Sequence, residues 1–200
     1  DGRDVPVRSA KKYLRETLRL FEEVGVGRIA SIVGRYYAMD RDTNWERTEK
    51  AYHLLTLGIG HLTSDPLEAV SEAYRRGDDT DYYIQPTVVT DKNGKPIATI
   101  EDGDSVIFWN FRSERARQIT YALTQVEFDA FLSKKIPQVH FTCMSVYDRN
   151  LDLPVAFPQK KVKNNLGWII ASNGFRQLRI AESEKYAQVT YFFNSQEENA

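Results

Sequence analysis

Short apolar runs alternate with amphipathic helical patterns along this chain, and this alternation is the feature that most constrains its fold. Apolar residues recur every three or four positions between Val7 and Phe21, which predicts an amphipathic helix. The runs 28–33, 105–109 and 139–146 predict three short strands, of which 105–109 is expected to be buried. Because strands that alternate with helices form layered sheets, the sequence predicts an α/β fold with helices on both faces of the sheet.

Capping residues mark where several helices begin and end. Asp65, Pro66 and Glu68 form an N-terminal capping pattern. Gly77 is suited to ending the helix that they start, and the acidic residues 78–81 after it are expected to form an exposed loop. Further helices are predicted near 45–55, at 113–123 with Ser113 as the cap, at 166–172 and at 183–193.

The segment 87–100 interrupts this pattern. Two apolar runs, 87–89 and 97–100, flank an Asn93-Gly94 step, and this step favours a tight turn. We therefore expect a β-hairpin that forms an excursion from the layered sheet.

A change in the sequence pattern after Asp148 predicts a domain boundary. Periodicity is lost there, and Pro154 and Pro158 fall within the irregular stretch, which is typical of an interdomain connection. We predict one domain over 1–158 and the start of another over 159–200, with a strand at 176–180 in the second part.

Composition excludes several classes of protein. The 200 residues are 42% hydrophobic and 28% charged, so the chain can bury a core. The net charge of −1 argues against a nucleic-acid-binding face, and no apolar run approaches the ~20 residues of a membrane span. A single cysteine, Cys143, leaves no intramolecular disulfide, and we expect a cytoplasmic location. The three histidines, His53, His61 and His140, lack partners at metal-ligand spacing and are interpreted as structural.

Arginine is concentrated in three segments, 1–4, 34–42 and 110–117, each at a predicted junction between a strand and a helix. The ends of strands are where α/β proteins bind ligands. A guanidinium offers a planar fork of donors that matches carboxylate and phosphate oxygens. The pattern therefore predicts a clamp for a small, doubly anionic molecule. The alternative for Arg41 is an ion pair with its neighbours Asp40 and Asp42.

Four motifs in a fixed order carry a family resemblance: Asp1-Gly2-Arg3-Asp4, the run 34–42 with Trp45-Glu46-Arg47, the run 110–112 with Arg115-Ala116-Arg117, and the run 181–186. Together they resemble cofactor-independent phosphoglycerate mutase, and they span the whole chain. The chain departs from the family pattern at Val7, Asn44, Gln188 and Ser195.

The resemblance implies a two-domain protein of the alkaline-phosphatase superfamily. Its phosphatase domain carries a serine that becomes phosphorylated and two divalent metal ions, manganese or magnesium, and a second domain is inserted to orient the substrate. The chain then corresponds to the later part of the inserted domain and the return into the phosphatase domain, with both ends internal to a longer monomeric protein and the metal ligands outside this segment. The resemblance also implies that the intact protein interconverts 3-phosphoglycerate and 2-phosphoglycerate in glycolysis without a bisphosphoglycerate cofactor. The isolated 200-residue segment is expected to be inactive.

Residue roles follow from the same motifs. The residues that resemble the family's substrate-holding arginines are Arg3, Arg35, Arg41, Arg112 and Arg115. Asp4 resembles the carboxylate that handles the substrate hydroxyl proton, and its alternative role is a helix N-cap before Val5-Pro6. Lys185 resembles the lysine that reaches the phosphoryl group, and its alternative is an exposed helix face.

The sequence leaves three candidate functions. The first is the substrate-binding part of a mutase, and the second is a noncatalytic module that binds small phosphorylated anions. The third, a nucleic-acid-binding protein, is disfavoured by the near-neutral charge.

Overall fold

A computed structural model describes residues 2–125, 127–132, 137–158, 160 and 162–195. The described residues have the mixed α/β fold that the sequence predicts. They form two compact units, Asp1–Phe157 and Pro158–Ala200. In the described part of the chain, no helix has the length and apolar character needed to cross a membrane.

The first sheet has three short strands: β1 (Ser31–Ile32), β2 (His61–Thr63) and β3 (Thr87–Val89). Strand β3 lies in the middle, antiparallel to β1 and parallel to β2. All three residues of β3 are buried. The strand predicted over 28–33 is thus present but shorter than expected.

The second sheet pairs β4 (Ser105–Phe108) with β5 (His140–Cys143) in parallel. The prediction that β4 is buried is wrong. Its residues alternate between exposed and half-buried positions, because only one face of this two-stranded sheet packs on the core.

Six helices complete the described elements: α1 (Ala10–Val24), α2 (Arg35–Ala38), α3 (Trp45–Leu57), α4 (Pro66–Arg76), α5 (Ser113–Thr124) and α6 (Leu166–Ser172). The core of the first unit joins α3, α5, β5 and the loop after β5, through Ala51, Tyr52, Ala116, Ile119, Phe141 and Tyr147. A smaller cluster packs α1 against α4.

The predicted N-cap and C-terminal glycine of α4 are confirmed, but the capping box is not, because Glu68 pairs with Arg75 and the Asp65 N–H donates to Thr63 Oγ1. The Asp65 carboxylate accepts the backbone N–H of Leu67 at 2.7 Å, and Gly77 ends the helix with a positive φ of 106°. Ser113, in contrast, is the first residue of α5 and not its cap, which was predicted wrongly. The cap position is occupied by Arg112.

The acidic segment 78–81 is not an exposed loop, contrary to the prediction. Asp78 and Asp81 are buried, because each satisfies several donors. The Asp81 carboxylate accepts the backbone N–H groups of Ser9 (2.7 Å) and Ala10 (2.8 Å), and the Tyr74 hydroxyl donates to it as well. Asp81 therefore caps α1 from a distant part of the chain and sets its start at Ala10, three residues after Val7.

The hairpin is short, and its pairing ends at Ile97, whose N–H donates to the Val89 carbonyl at 2.9 Å. Asp91 N–H donates to the Lys95 carbonyl at 2.8 Å, and Thr90 pairs with Pro96. The segment 97–100 is not a strand, contrary to the prediction, because the chain leaves the hairpin after Ile97 and Ile100 N–H donates to the Leu55 carbonyl at the end of α3 (2.8 Å).

The second unit contains α6 at the predicted residues, with Asn165 accepting the Trp168 N–H as its cap. The strand predicted at 176–180 is absent from these described residues. The segment predicted as a helix at 183–193 is helical but irregular, with a 3-10 turn at Ser183–Lys185 and π-helical bonding at Gln188–Phe192.

Candidate anion-binding site

The first two arginine segments meet on one short turn of the chain. This is the 3-10 turn Asp81–Tyr83, which leads into β3. Gly34 N–H donates to the Ile84 carbonyl at 2.7 Å, and a Cβ on Gly34 would overlap the Tyr82 carbonyl. Gly2 has a φ of +65° and also packs against Tyr82. Both positions therefore require glycine, and their close approach brings the two segments side by side.

Asp4 links the first arginine segment to the other two. Its Oδ2 accepts from Arg35 Nη1 at 2.9 Å and from Arg112 Nη1 at 3.2 Å. Arg35 is 7% exposed, whereas the Asp4 and Arg112 side chains are about half exposed. The hydrogen bond from Arg35, with the charges of Arg35 and Arg112, lowers the pKa of the Asp4 carboxyl against an opposing effect of desolvation. Asp4 is thus ionised at neutral pH.

The alternative role of Asp4 as the N-cap of the first helix is wrong. Ser9 occupies the N-cap position of α1, and the donors there are satisfied by Asp81. The Asp4 carboxylate is directed to guanidinium groups that lie 31 and 108 residues away in the sequence.

Arg115 is buried in the first turn of α5, with its Nη1 donating to the Met39 carbonyl at 3.0 Å. Burial, followed by the positive charges of Arg41 and Arg35, lowers the pKa of its guanidinium. Three guanidinium groups are therefore close enough to repel one another. An anion bound among them would relieve that repulsion.

Arg41 extends from the loop 39–44. Its Nε lies 3.8 Å from Asp42 Oδ1, and its Nη1 lies 4.0 Å from Glu114 Oε1, so both are long ion-pair contacts. The alternative of an ion pair with a neighbouring aspartate is thus present with Asp42. An exposed pair of this length contributes little to stability.

The loop that carries Arg41 is organised by Asp40. Its carboxylate accepts from the backbone of Asp42 and Asn44 (3.0 Å each), from the Asn44 side chain and from Arg47 Nη1 at 3.2 Å. Burial alone would raise the pKa of Asp40, but these donors together lower it. The carboxylate is therefore a fixed structural anion within the loop.

Gln118 ties the same loop to α5. Its Oε1 accepts the N–H of Thr43 at 2.9 Å, and its Nε2 donates to Thr48 Oγ1 at 2.8 Å. Thr43 has a φ of 59°, a strained value for a β-branched residue. Sequence reasoning missed Gln118, although its position three residues after Arg115 places both on one face of the helix.

The remaining site residues are less closely held. Arg3 follows the buried Gly2 and is exposed. Lys185 belongs to the second unit, where it lies exposed in the 3-10 turn Ser183–Lys185. The structure thus joins Asp4 to Arg35 and Arg112 directly, and it couples Arg35, Arg41 and Arg115 by charge.

The residues present do not fit a metal centre. Within the described ranges, no group of three His, Cys, Asp or Glu side chains could hold a metal ion. His53 packs edge-on against Phe131, and burial raises the pKa of the Cys143 thiol to about 11. Neither residue belongs to such a group within the described ranges.

Known proteins share both the fold and the sequence of this chain. Residues 1–149 match the family model described as BPG-independent PGAM N-terminus. The chain is 51% identical to the 2,3-bisphosphoglycerate-independent phosphoglycerate mutase of Methanococcoides burtonii and 52% identical to mutase 1 of Methanosarcina acetivorans. These matches cover 97% and 99% of the chain and 38% of each relative.

A solved structure agrees with these matches. It comes from a study titled as crystal structures of Leishmania mexicana phosphoglycerate mutase at low cobalt concentration, and it superimposes with a TM-score of 0.83 at 31% identity. The match covers 100% of this chain and 38% of that one. Fold and site define an α/β protein in which four arginines and Asp4 form one cluster. The chain belongs to the BPG-independent phosphoglycerate mutase family, and it spans 38% of the length of the relatives that it matches.

Proposed function

We propose that this chain is the substrate-orienting segment of a cytoplasmic, monomeric phosphoglycerate mutase that interconverts 3-phosphoglycerate and 2-phosphoglycerate through a phosphoserine. The observation that carries the proposal is the meeting of Arg35 and Arg112 on one oxygen of Asp4, with Arg41 and Arg115 in the same cluster. Phosphoglycerate has a carboxylate and a phosphate, and both groups match guanidinium donors.

The site suggests how the glycerate would be held. A substrate oxygen that takes the donors of Arg35 and Arg112 replaces the Asp4 carboxylate between them. Arg41 and Arg115 supply further donors for the second anionic group. Held at both ends, the glycerate presents one hydroxyl at a time to the phosphorylated group.

Asp4 is proposed as the group that accepts the proton of the attacking hydroxyl. In the structure Arg35 and Arg112 stabilise its ionised form and lower its pKa. When a substrate anion takes those donors, the pKa of Asp4 rises toward its ordinary value, and the carboxylate becomes a stronger base next to the hydroxyl. Lys185 is proposed to contact the phosphoryl group from the second domain.

The rest of the catalytic machinery is proposed to lie outside this segment, in a phosphatase domain of the same polypeptide. That domain would carry the serine and two divalent metal ions, manganese or magnesium. We propose residues 1–158 as part of the inserted domain and 159–200 as the return into the phosphatase domain. Independence from bisphosphoglycerate is part of the names of the relatives.

The test uses the intact protein that contains this chain. The intact protein with manganese or magnesium should convert 3-phosphoglycerate into 2-phosphoglycerate without added bisphosphoglycerate, as followed by phosphorus NMR. Arg112→Ala should lower kcat/KM roughly 10- to 150-fold, the equivalent of one charge-assisted contact. The control is Arg8→Ala, since Arg8 donates to a backbone carbonyl at 2.8 Å outside the cluster.

The results of these assays distinguish a mutase from a noncatalytic anion-binding module. Binding of phosphoglycerate without turnover would favour a noncatalytic module for phosphorylated anions. Equal kcat/KM for wild type, Arg112→Ala and Arg8→Ala would remove the arginine cluster from the mechanism.

A further inference from the structure

The segment from which Arg112 extends is held by a buried tyrosine. Tyr147 is 1% exposed, and its ring packs edge-on against Phe108. Its hydroxyl oxygen lies 2.8 Å from the Phe108 carbonyl oxygen and 2.6 Å from the Asn110 carbonyl oxygen. A single O–H proton is thus shared between two carbonyls of the chain that leaves β4.

Other contacts extend this attachment up to Arg112 itself. Ser145 Oγ donates to the Phe111 carbonyl at 3.1 Å, and Asn110 Oδ1 accepts the Arg112 N–H at 3.0 Å. The carbonyls of Phe108, Asn110 and Phe111 are therefore held by Tyr147 and Ser145 of the loop that follows β5, and Asn110 in turn holds the backbone of Arg112. Arg112 is exposed, so its own side chain has little packing to hold it in place.

We infer that Tyr147 is a positioning residue for Arg112, and that its hydroxyl sets the place from which the guanidinium reaches the anion-binding site. This inference rests on the proposed function, because it assumes that Arg112 contacts the substrate. The Tyr147 hydroxyl bonds to backbone groups, the carbonyls of Phe108 and Asn110 and the Met144 N–H at 3.3 Å, so its effect on Arg112 passes through the backbone. A shift of the supporting backbone moves a guanidinium at the end of a long side chain, and small misplacements are costly for binding geometry.

The test compares two tyrosines in the intact protein. Tyr147→Phe removes one hydroxyl with little change in volume, and kcat/KM should fall about 3- to 10-fold, mainly through a higher KM for 3-phosphoglycerate. Tyr121→Phe is the matched control. Tyr121 lies on α5, and its hydroxyl donates to Asp148 Oδ2 at 2.6 Å. Tyr121→Phe should therefore lower the Tm about as much as Tyr147→Phe does and leave KM unchanged.

A double-mutant cycle decides whether Tyr147 acts through Arg112. In an Arg112→Ala background, Tyr147→Phe should have no further effect on kcat/KM, because the group that it positions is gone. An equal fall in both backgrounds would overturn the inference, as would an unchanged KM for the single variant. If Arg112→Ala alone leaves kcat/KM unchanged, the proposed substrate contact of Arg112 is wrong. If Arg112→Ala lowers kcat/KM but Tyr147→Phe does not, only the positioning role of Tyr147 is wrong.

A milder variant covers the case in which Tyr147→Phe does not fold. Ser145→Ala removes the hydroxyl that donates to the Phe111 carbonyl. It should raise KM about 2-fold, and only when Arg112 is present. No change in KM for a well-folded Ser145→Ala variant would count against the attachment of this segment as a determinant of substrate binding.

Discussion

Replacing Arg115 by methionine tests the arginine cluster at one of its two buried arginines, Arg35 being the other. Arg115 is 8% exposed, and it combines a hydrogen bond to the Met39 carbonyl with repulsion from Arg41 and Arg35. Loss of one charge-assisted contact to a substrate anion costs about 1.5–3 kcal/mol. Since about 1.4 kcal/mol corresponds to a factor of ten, kcat/KM should fall roughly 10- to 150-fold.

The effect of the same change on stability has two opposing parts. Without Arg115, the Met39 carbonyl loses a charged donor, which destabilises the fold by about 1.5–3 kcal/mol. The repulsion from Arg41 and Arg35 is removed at the same time, which stabilises it. The Tm should therefore fall by less than the ~3–12 °C that the lost hydrogen bond alone would give in a domain of this size.

The assay is steady-state conversion of 3-phosphoglycerate by the intact protein, with a thermal melt of each variant. Arg115→Lys keeps the charge without the planar fork, and it should recover part of the lost kcat/KM. Arg8→Met is the control, because Arg8 also donates to a backbone carbonyl but lies outside the cluster. If Arg115→Met retains kcat/KM within about twofold of wild type, the reasoning that places this guanidinium on the substrate is refuted.

Four further outcomes are expected. Asp4→Asn in the intact protein should abolish most mutase activity. The pKa of Asp4 is lowered in the folded state, so its ion pairs contribute their full stability above the unfolded pKa of about 3.9. The Tm difference between wild type and Asp4→Asn should therefore stay constant from about pH 5 to 8 and shrink on further acidification. Asp81→Ala leaves the N–H groups of Ser9 and Ala10 without their acceptor, and should lower the free energy of unfolding by about 1–3 kcal/mol in denaturant titration; a change of under about 0.5 kcal/mol would contradict this. Cys143, with a pKa of about 11 raised by burial, has less than about 1% thiolate at pH 8 and should resist iodoacetamide until the protein is denatured, as read by mass spectrometry. The 200-residue chain alone should show no mutase turnover with manganese or magnesium, and measurable conversion by it would show that a nucleophile lies within this segment.

Local signals predicted five of the six α-helices in the described residues and missed the one-turn α2. The start and stop of α4 depend on Asp65, Pro66 and Gly77, which act within a few residues of the helix. The segment 78–81 was predicted wrongly because the groups that bury it are distant in the sequence. Its buried carboxylates satisfy donors that lie as far as 72 residues away, and no local pattern reports such a partner.

The candidate site was predictable in its parts and not in its arrangement. The arginine segments were visible in the sequence because guanidinium groups at strand ends favour anion binding. That Asp4 accepts from both Arg35 and Arg112 depends on contacts across 108 residues. Tyr147 had no distinguishing sequence signal, since a tyrosine after an apolar run is most simply interpreted as core.

The cluster shows why uncharged residues matter as much as the arginines. Like charges repel, so Arg35 and Arg115 stay together only because the fold holds them there. Gly34 packs its backbone against Tyr82 and donates to the Ile84 carbonyl, and this contact fixes Arg35 at the start of α2. Donors held in place before the ligand arrives need little reorganisation when it binds. The carboxylates of Asp4, Asp42 and Glu114 offset part of the repulsion in the free site, and an anion bound among the arginines would offset more of it.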